Sequence, residues 1–421
     1  MSTTTPPIHA PMHQFEWREG APLLGGFTLE QLAQRAGQTP FYAYERRALT
    51  QQVQALRAAL PAEVELHYAI KANPMPALLA HLKGLVDGLD VASGGELLRA
   101  LDTGVDRQHI SFAGPGKRPA ELRQALAAGV LVNVESLREL DVLAQLSAEM
   151  ACPARVALRI NPDYELKGAG MRMGGGAKPF GLDVALIEPA FERIRAAGPE
   201  RLGFEGFHLF AGSQSLRADA IAQAQQQAYE LALHWASKAS APVRVLNLGG
   251  GFGIPYFPGD QRLDLAPISA MMSGLVERAR HELPQARLVL ELGRYLVGEA
   301  GVYVCRVVER KTSHGQVYLV CDGGLHHHLA ASGNFGQVLR RNYPVALVRQ
   351  QAGAQGQGDG ELETVNIVGP LCTPLDLIAD RVSLPRADVG DLVVVFQSGA
   401  YGATASPQGF LGHPTVLEMV V

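Results

Sequence analysis

The sequence predicts an α/β protein, a (β/α)8 barrel followed by a separate C-terminal β-domain. Three observations lead there. Short β-prone apolar runs alternate with longer Ala-, Leu-, Glu- and Arg-rich segments from about residue 39 to residue 293. Eight such strand-then-helix units within about 250 residues match the length of a barrel, whereas a doubly wound sheet more often stops at five to seven strands. After Gly293 the long helical segments vanish, and VYVCRVVER, QVYLVCDGG, LETVNIVGP and DLVVVFQSG follow closely on one another.

In order, residues 1–38 form a polar, Pro-containing lead-in with a short helical stretch over 28–35, expected to pack on the β-domain. The barrel is expected over 39–293 and the β-domain over 294–421. The eight strands are ELHYAI (65–70), GLDVA (88–92), ISFAG (110–114), LVNVE (131–135), RVALRI (155–160), FEGFHLF (204–210), RVLNLG (244–249) and RLVLELG (287–293). Helix-like stretches at 76–85, 96–103, 120–128, 136–149 and 216–240 lie between them. One connection breaks the rhythm. NPDYELKGAGMRMGGGAKPFGL (161–182) is too long and Gly-rich for an ordinary loop, and the expectation is a flexible segment on the substrate side. QQAGAQGQGDG (350–360) is expected as a solvated loop in the β-domain.

Composition excludes several classes. Lys plus Arg (37) nearly balances Asp plus Glu (41), which gives no bias toward nucleic acid or anionic membrane. No run of about 18 apolar residues could span a bilayer. MSTTTPPIHAPMHQFEW has none of the regions of a signal peptide, so a cytoplasmic location is expected. Cys152, Cys305, Cys321 and Cys372 are too scattered for a metal quartet or a disulfide framework. The triplet His326–His328 invites a metal reading, but consecutive residues in a strand would alternate faces, and no metal is expected.

A barrel builds its active site at the carboxyl ends of its strands, and the chemically able residues fall there. Lys71 closes strand one in HYAIKANP. It is either a snorkelling surface charge or a Schiff-base lysine. Gly249, Gly250 and Gly251 follow strand seven, the usual place for a phosphate cup, although a glycine cluster alone is as often a plain turn. They do not form GxGxxG after a first strand, which disfavours a dinucleotide. Strand eight ends in ELGRY with Glu291 and Arg294. Strand six carries His208, ordinarily a structural residue, and the following AGSQS turn offers Ser213. Arg159 ends strand five, and Asp90 and Glu96 flank the glycine turn after strand two. A lysine, a phosphate cup, a carboxylate and an imidazole on one face are together the parts that pyridoxal 5'-phosphate requires.

HYAIKANP, DVASGGE, GSQS, LNLGGGFGIPY, ELGRYLV, GPLCTPLD and QSGAYG resemble the fold-type III pyridoxal-phosphate decarboxylases, which include the ornithine, arginine and diaminopimelate decarboxylases. The resemblance runs from about residue 38 to the C-terminus and implies an alanine-racemase-like barrel. KGAGMRMGGGAKPFGLD and DGGLHHHLAASGNFGQ look most like a bacterial subgroup associated with exosortase-A exopolysaccharide clusters, and are similar to decarboxylases of carrier-protein-bound amino acids. By this resemblance Lys71 would hold the cofactor, Glu291 would pair with its pyridine nitrogen, and His208 would stack on its ring. Ser213, Gly250, Gly251 and Arg294 would hold its phosphate, and Tyr401 would close over it. Asp90 and Arg159 would line the cofactor site. Cys372 would act in the partner subunit's site by protonating the substrate carbon, with Asp376 facing the substrate or supporting the cysteine. A homodimer with shared active sites is implied.

Departures bear on the substrate. Thr373 stands where diaminopimelate decarboxylases usually have an acid, and ATASPQGFLGHP replaces a Ser- and Asn-rich string. Of the acids that would bind a distal amine, only Asp322 remains. The expectation is therefore α-decarboxylation of an amino acid or of a carrier-tethered conjugate. A diaminopimelate-, ornithine- or lysine-type decarboxylase of a free amino acid, a racemase and a non-catalytic cofactor carrier are the rivals. GPLC where racemases present a tyrosine base, and the intact β-domain, count against the last two.

Overall fold

The computed structural model describes residues 7–337, 339–349 and 362–421, so 350–360 lies outside the described residues. Two compact units emerge. One is Gln52–Ile254 with Leu263–Leu296, and the other combines the described part of Met1–Gln51 with Pro255–Arg262 and Val297–Val421.

The first unit is a closed barrel of eight parallel strands: β1 (Val64–Ala69), β2 (Gly88–Val91), β3 (Ile110–Phe112), β4 (Leu131–Val134), β5 (Ala154–Asn161), β6 (Leu202–Leu209), β7 (Val245–Asn247) and β8 (Arg287–Leu292). Each pairs with the next and β8 pairs with β1, with Glu291 level with His67. All eight strands expected from the sequence are present. Their apolar runs are buried on both faces, as parallel strands covered by helices must be. Ser93 and Ser136 start the helices Gly94–Asp102 and Leu137–Met150 by accepting the N–H groups of Glu96 and Glu139.

Barrel interiors usually fill with branched aliphatic side chains. Here Leu131, Ala157, Val245 and Val289 form one apolar cluster, while His67, Asp90, Ser111, Asn133 and Asn247 are buried polar residues of β1, β2, β3, β4 and β7. Asn133 Nδ2 donates to Ser111 Oγ (3.1 Å), Ser111 donates to Asp90, and Asp90 Oδ1 lies 3.3 Å from His67 Nδ1. The chain continues to Glu65 at the start of β1, which Arg287 pairs at 2.9 Å. Glu65, His67 and His109 are close enough to share a metal ion, but Arg287 already binds the Glu65 carboxylate and lies 3.1 Å from His109 Nδ1.

The second unit is built on β9 (Gly301–Ser313), β10 (Gln316–Cys321), β11 (Val345–Val348), β12 (Leu362–Val368), β13 (Leu377–Pro385), β14 (Leu392–Val395) and β15 (Leu417–Val420), with the sheet order β11-β14-β9-β10-β12-β13. Phe41–Tyr44 lies between β9, antiparallel to it, and β15, parallel to it. Residues 39–51, which the sequence reading gave to the barrel, thus belong with this unit. FYAY is buried at all four positions and finds its two strand partners here. Met12, Phe15, Leu24, Leu29 and Leu32 share a core with Val302, Val304, Leu392 and Val394.

The histidine triplet is not in a strand. His327 and His328 both donate their backbone N–H to Gly324, and the rings diverge. His327 Nε2 meets the Pro414 carbonyl at 2.8 Å and His328 Nε2 meets Ser398 Oγ at 2.9 Å. The glycine pair at 323–324 turns the chain before the alternation of a strand can begin. No helix among the described residues is long and apolar enough to cross a membrane.

Candidate active site

Lys71 sits in the tight turn Ile70–Ala72 that follows β1. Its ammonium lies 3.6 Å from the Glu291 carboxylate on β8 and 5.5 Å from the centre of the Phe210 ring. The other Glu291 oxygen is 3.0 Å from Nε2 of His208 on β6, which is fully buried. Burial alone would push the Glu291 carboxyl up. Lys71, the His208 hydrogen bond and Arg159 outweigh it and hold the carboxylate charged, well below its ordinary range. Nδ1 of His208 has no hydrogen-bond partner among the described residues.

Arg159, on β5, is bound by Glu135 at the end of β4 (2.7 Å) and lies over the Phe180 ring. The same carboxylate accepts the N–H groups of Gly114 (2.5 Å) and Gly181 (3.0 Å). Burial acts to raise Glu135, but Arg159 and Lys117 bring it below the usual carboxylate value. Lys117 is itself buried, 3.0 Å from Glu139, and donates to the carbonyls of Gly114 and Asn133.

The glycine loop follows β7. Gly249 and Gly251 have φ of +69° and +87°, and a Cβ on Gly250 would lie 2.1 Å from the Glu291 carbonyl oxygen. No other residue type fits at Gly250. The N–H groups of Gly250 and Gly251 have no backbone acceptor among the described residues. The Ser213 turn is tied to this loop, because the N–H of Ser215 donates to Gly251 at 2.9 Å. Arg294 is half-buried and opens the turn Arg294–Val297 directly after β8.

The insertion over 161–182 is pinned rather than free. Met171–Arg172 pairs antiparallel with Gly212–Ser213, Met173 and Gly174 donate to the Ala211 carbonyl, and Asn161 Nδ2 holds the Gly176 carbonyl at 3.0 Å. Most of these ties are made by backbone groups, with the Asn161 and Glu135 side chains holding its ends.

Lys71, His208, Glu291, Arg159, Ser213, Gly250, Gly251 and Arg294 thus all belong to the barrel unit, at or just beyond the carboxyl ends of its strands. Asp90 does as well, but its carboxylate turns to His67 and Ser111 within the barrel wall. In the second unit, Cys372 is an exposed free thiol in the turn between β12 and β13. Asp376 is buried and brackets that turn, accepting the N–H groups of Leu325 (2.6 Å) and Leu371 (2.8 Å). Asp322 accepts the Thr39 hydroxyl and the Arg306 N–H (2.8 Å). Tyr401 has φ of +54°, and its ring lies 6.0 Å from that of Phe335. Sequence reasoning passed over Glu135, Lys117 and Glu139. Glu135 closes a barrel strand in LVNVE, the same signal that singled out Lys71 and Glu291.

Residues 46–298 match the family described as pyridoxal-dependent decarboxylase, pyridoxal binding domain. The chain is 37% identical to L-glutamyl-[BtrI acyl-carrier protein] decarboxylase of Niallia circulans, over 91% of this chain and 89% of that one. It is 30% identical to diaminopimelate decarboxylase of Aquifex aeolicus, over 96% and 92%. Among solved structures, diaminopimelate decarboxylase of Helicobacter pylori complexed with L-lysine superposes with a TM-score of 0.82 at 25% identity, covering 94% of each chain.

Proposed function

This chain belongs to the pyridoxal-dependent decarboxylases of the ornithine, arginine and diaminopimelate group, and from that premise we propose that its substrate is an amino acid tethered through its distal end to a carrier protein. It is a pyridoxal-phosphate-dependent carboxy-lyase. The residues present suit the cofactor. They include an amine at Lys71, a carboxylate held charged at Glu291, a buried imidazole with one nitrogen unpartnered among the described residues, and the N–H groups of Gly250 and Gly251, which have no backbone acceptor there.

When bound, pyridoxal phosphate supplies an electron sink for the pair released as the bond from Cα to the carboxylate breaks. In our reading Lys71 Nζ holds it covalently and Glu291 keeps a proton on its pyridine nitrogen, because a fixed anion favours the cationic ring. His208 fixes the Glu291 carboxylate through the 3.0 Å contact. Gly250, Gly251, Ser213 and Arg294 receive the phosphate, while Arg159, braced by Glu135, adds positive charge near Glu291. Tyr401 covers the phosphate, and the Cys372 thiol gives its proton to Cα as carbon dioxide departs, working from one subunit of a homodimer into the site of the other.

One observation carries the choice of substrate. Asp322, the remaining acid that could have met a distal amine, is already engaged by Thr39 and Arg306. With Thr373 following the cysteine and Asp376 buried, the candidate substrate residues of the β-domain offer no exposed carboxylate to a diamino acid. A neutral, thioester-linked distal end fits this better, as does the likeness to the glutamyl-carrier enzyme. The subgroup motifs around Gly174–Gly176 and His326–His328 favour a role in bacterial exopolysaccharide or secondary metabolism. The test is a spectral titration of the holoenzyme, with carbon dioxide measured in parallel. Glutamyl-carrier conjugate should change the cofactor spectrum and release carbon dioxide. Rapid turnover of free lysine, ornithine or diaminopimelate would overturn the tethered-substrate reading.

A further inference from the structure

The helix Ala218–Ala236 packs on the barrel through small and apolar side chains, among them Ala220, Ile221, Ala224 and Ala228. Gln225 interrupts this face. It is 2% exposed, and neither its amide oxygen nor its amide nitrogen has a hydrogen-bond partner among the described residues. Interiors rarely tolerate such a group unless something satisfies it, and a leucine would serve the packing better. Gln225 lines a cavity of about 10 Å³, whose wall also includes Tyr164, Ala211, Gly212 and Gly250. A space of that size takes one water, and a buried water needs two to four polar partners. The Gln225 amide and the backbone groups of Gly212 and Gly250 can provide them.

The position of the cavity gives this a use. Gly250 belongs to the glycine loop, and Gly212 directly precedes Ser213. The two segments nearly touch, since a Cβ on Gly251 would lie 2.9 Å from the Gly212 carbonyl oxygen. We propose that Gln225 binds a single internal water that bridges these two segments and fixes the glycine loop in the shape that receives the cofactor's phosphate. Gln225 is then a positioning residue that acts on cofactor retention without touching the cofactor. The inference rests on the reading of Gly249–Gly251 and Ser213 as the phosphate cup.

The test compares cofactor release from wild-type holoenzyme, Gln225→Leu and Arg294→Gln, together with the melting temperature of each apoprotein. Losing one bridged hydrogen-bond link should speed release from Gln225→Leu roughly five- to tenfold. The absorbance maximum should stay the same, and the apoprotein should melt no lower, because the leucine side chain replaces the amide and its water with apolar packing on the same face. Gln225→Met serves the same purpose if the leucine variant does not fold. A wild-type crystal structure should show one ordered solvent peak within hydrogen-bonding distance of the Gln225 amide. Unchanged release from Gln225→Leu alongside faster release from Arg294→Gln would overturn the water while leaving the cup intact. Unchanged release from both would overturn the cup itself. A lower apoprotein melting temperature with normal release would make Gln225 an ordinary packing residue and refute the proposal.

Discussion

Raising the pH should weaken the barrel through His67. This imidazole is fully buried, which acts to lower its pKa, but Asp90 and Glu65 flank it and push the pKa up to about 9 from 6.5. The folded chain therefore keeps a proton on His67 that the unfolded chain gives up above 6.5. The resulting stability is complete below about pH 6.5, declines across the interval, and is gone above about pH 9. At ~1.36 kcal/mol for each step of one in pKa, the gap is worth about 3 kcal/mol. That is a large part of the ~5–15 kcal/mol that typically separates folded from unfolded chains. Glu65 works in the opposite direction. Burial raises it, but His67, Arg287 and His109 hold it at about 2, so its contribution is complete above 4.5 and fades on acidification. Both shifts describe one network and are not added. The assay is urea unfolding of wild type and His67→Gln at about pH 6 and about pH 9.5. Wild type should lose about 3 kcal/mol more than the variant between these values. Parallel losses in the two proteins would refute the assignment, and so would an NMR titration of His67 with a midpoint near 6.5.

Lys71→Ala should abolish both the visible absorbance of lysine-bound cofactor and carbon dioxide release, and a variant indistinguishable from wild type would exclude Lys71. Glu135→Gln leaves Arg159 buried without its charge partner and loosens Gly114 and Gly181. It should cost ~3–5 kcal/mol and speed proteolysis within 163–180, whereas an unchanged cleavage rate would mean that Glu135 does not anchor the insertion. Gly88→Ala would place a Cβ 2.4 Å from both His67 Nε2 and the His109 carbonyl oxygen, and the melting temperature should report a loss of ~1–3 kcal/mol. Cys372→Ala should lower kcat by ~10²–10⁴-fold. Mixing it with Lys71→Ala should restore activity by forming dimers with one intact site, and no recovery would argue against a site shared between subunits.

The barrel was legible because a strand buried on both faces reads as an unbroken apolar run bounded by glycine, and eight such runs allow few other folds. The face that carries the candidate site was legible because strand ends mark it. The same rule applied to LVNVE would have found Glu135. The partly polar interior was not, because His67, Asp90 and Ser111 each sit singly within an apolar run and reveal one another only once the strands are side by side. The boundary at residue 39 failed for a related reason. FYAY is as apolar as any barrel strand, and both its partners, Gly301–Val304 and Leu417–Val420, come after the whole barrel in the chain. Asp376 and Asp322 were legible as acids in the right motifs, but not as acids already occupied by backbone N–H groups and a threonine. In the 161–182 segment, glycines that suggested mobility instead permit close backbone pairing.

The placing of Phe41–Tyr44 has a consequence for synthesis. That strand is made before any part of the barrel, yet one of its two neighbours, Leu417–Val420, is made only after the whole barrel. The barrel can close while Phe41–Tyr44 of the other unit still waits with an open, wholly apolar edge. Such an edge invites pairing with another nascent chain. The hazard lasts for most of the time of translation, which makes Phe41–Tyr44 the segment a chaperone would need to shield and the first place to look when overproduction yields aggregates. A truncation that removes only Leu417–Val420 would make that transient edge permanent.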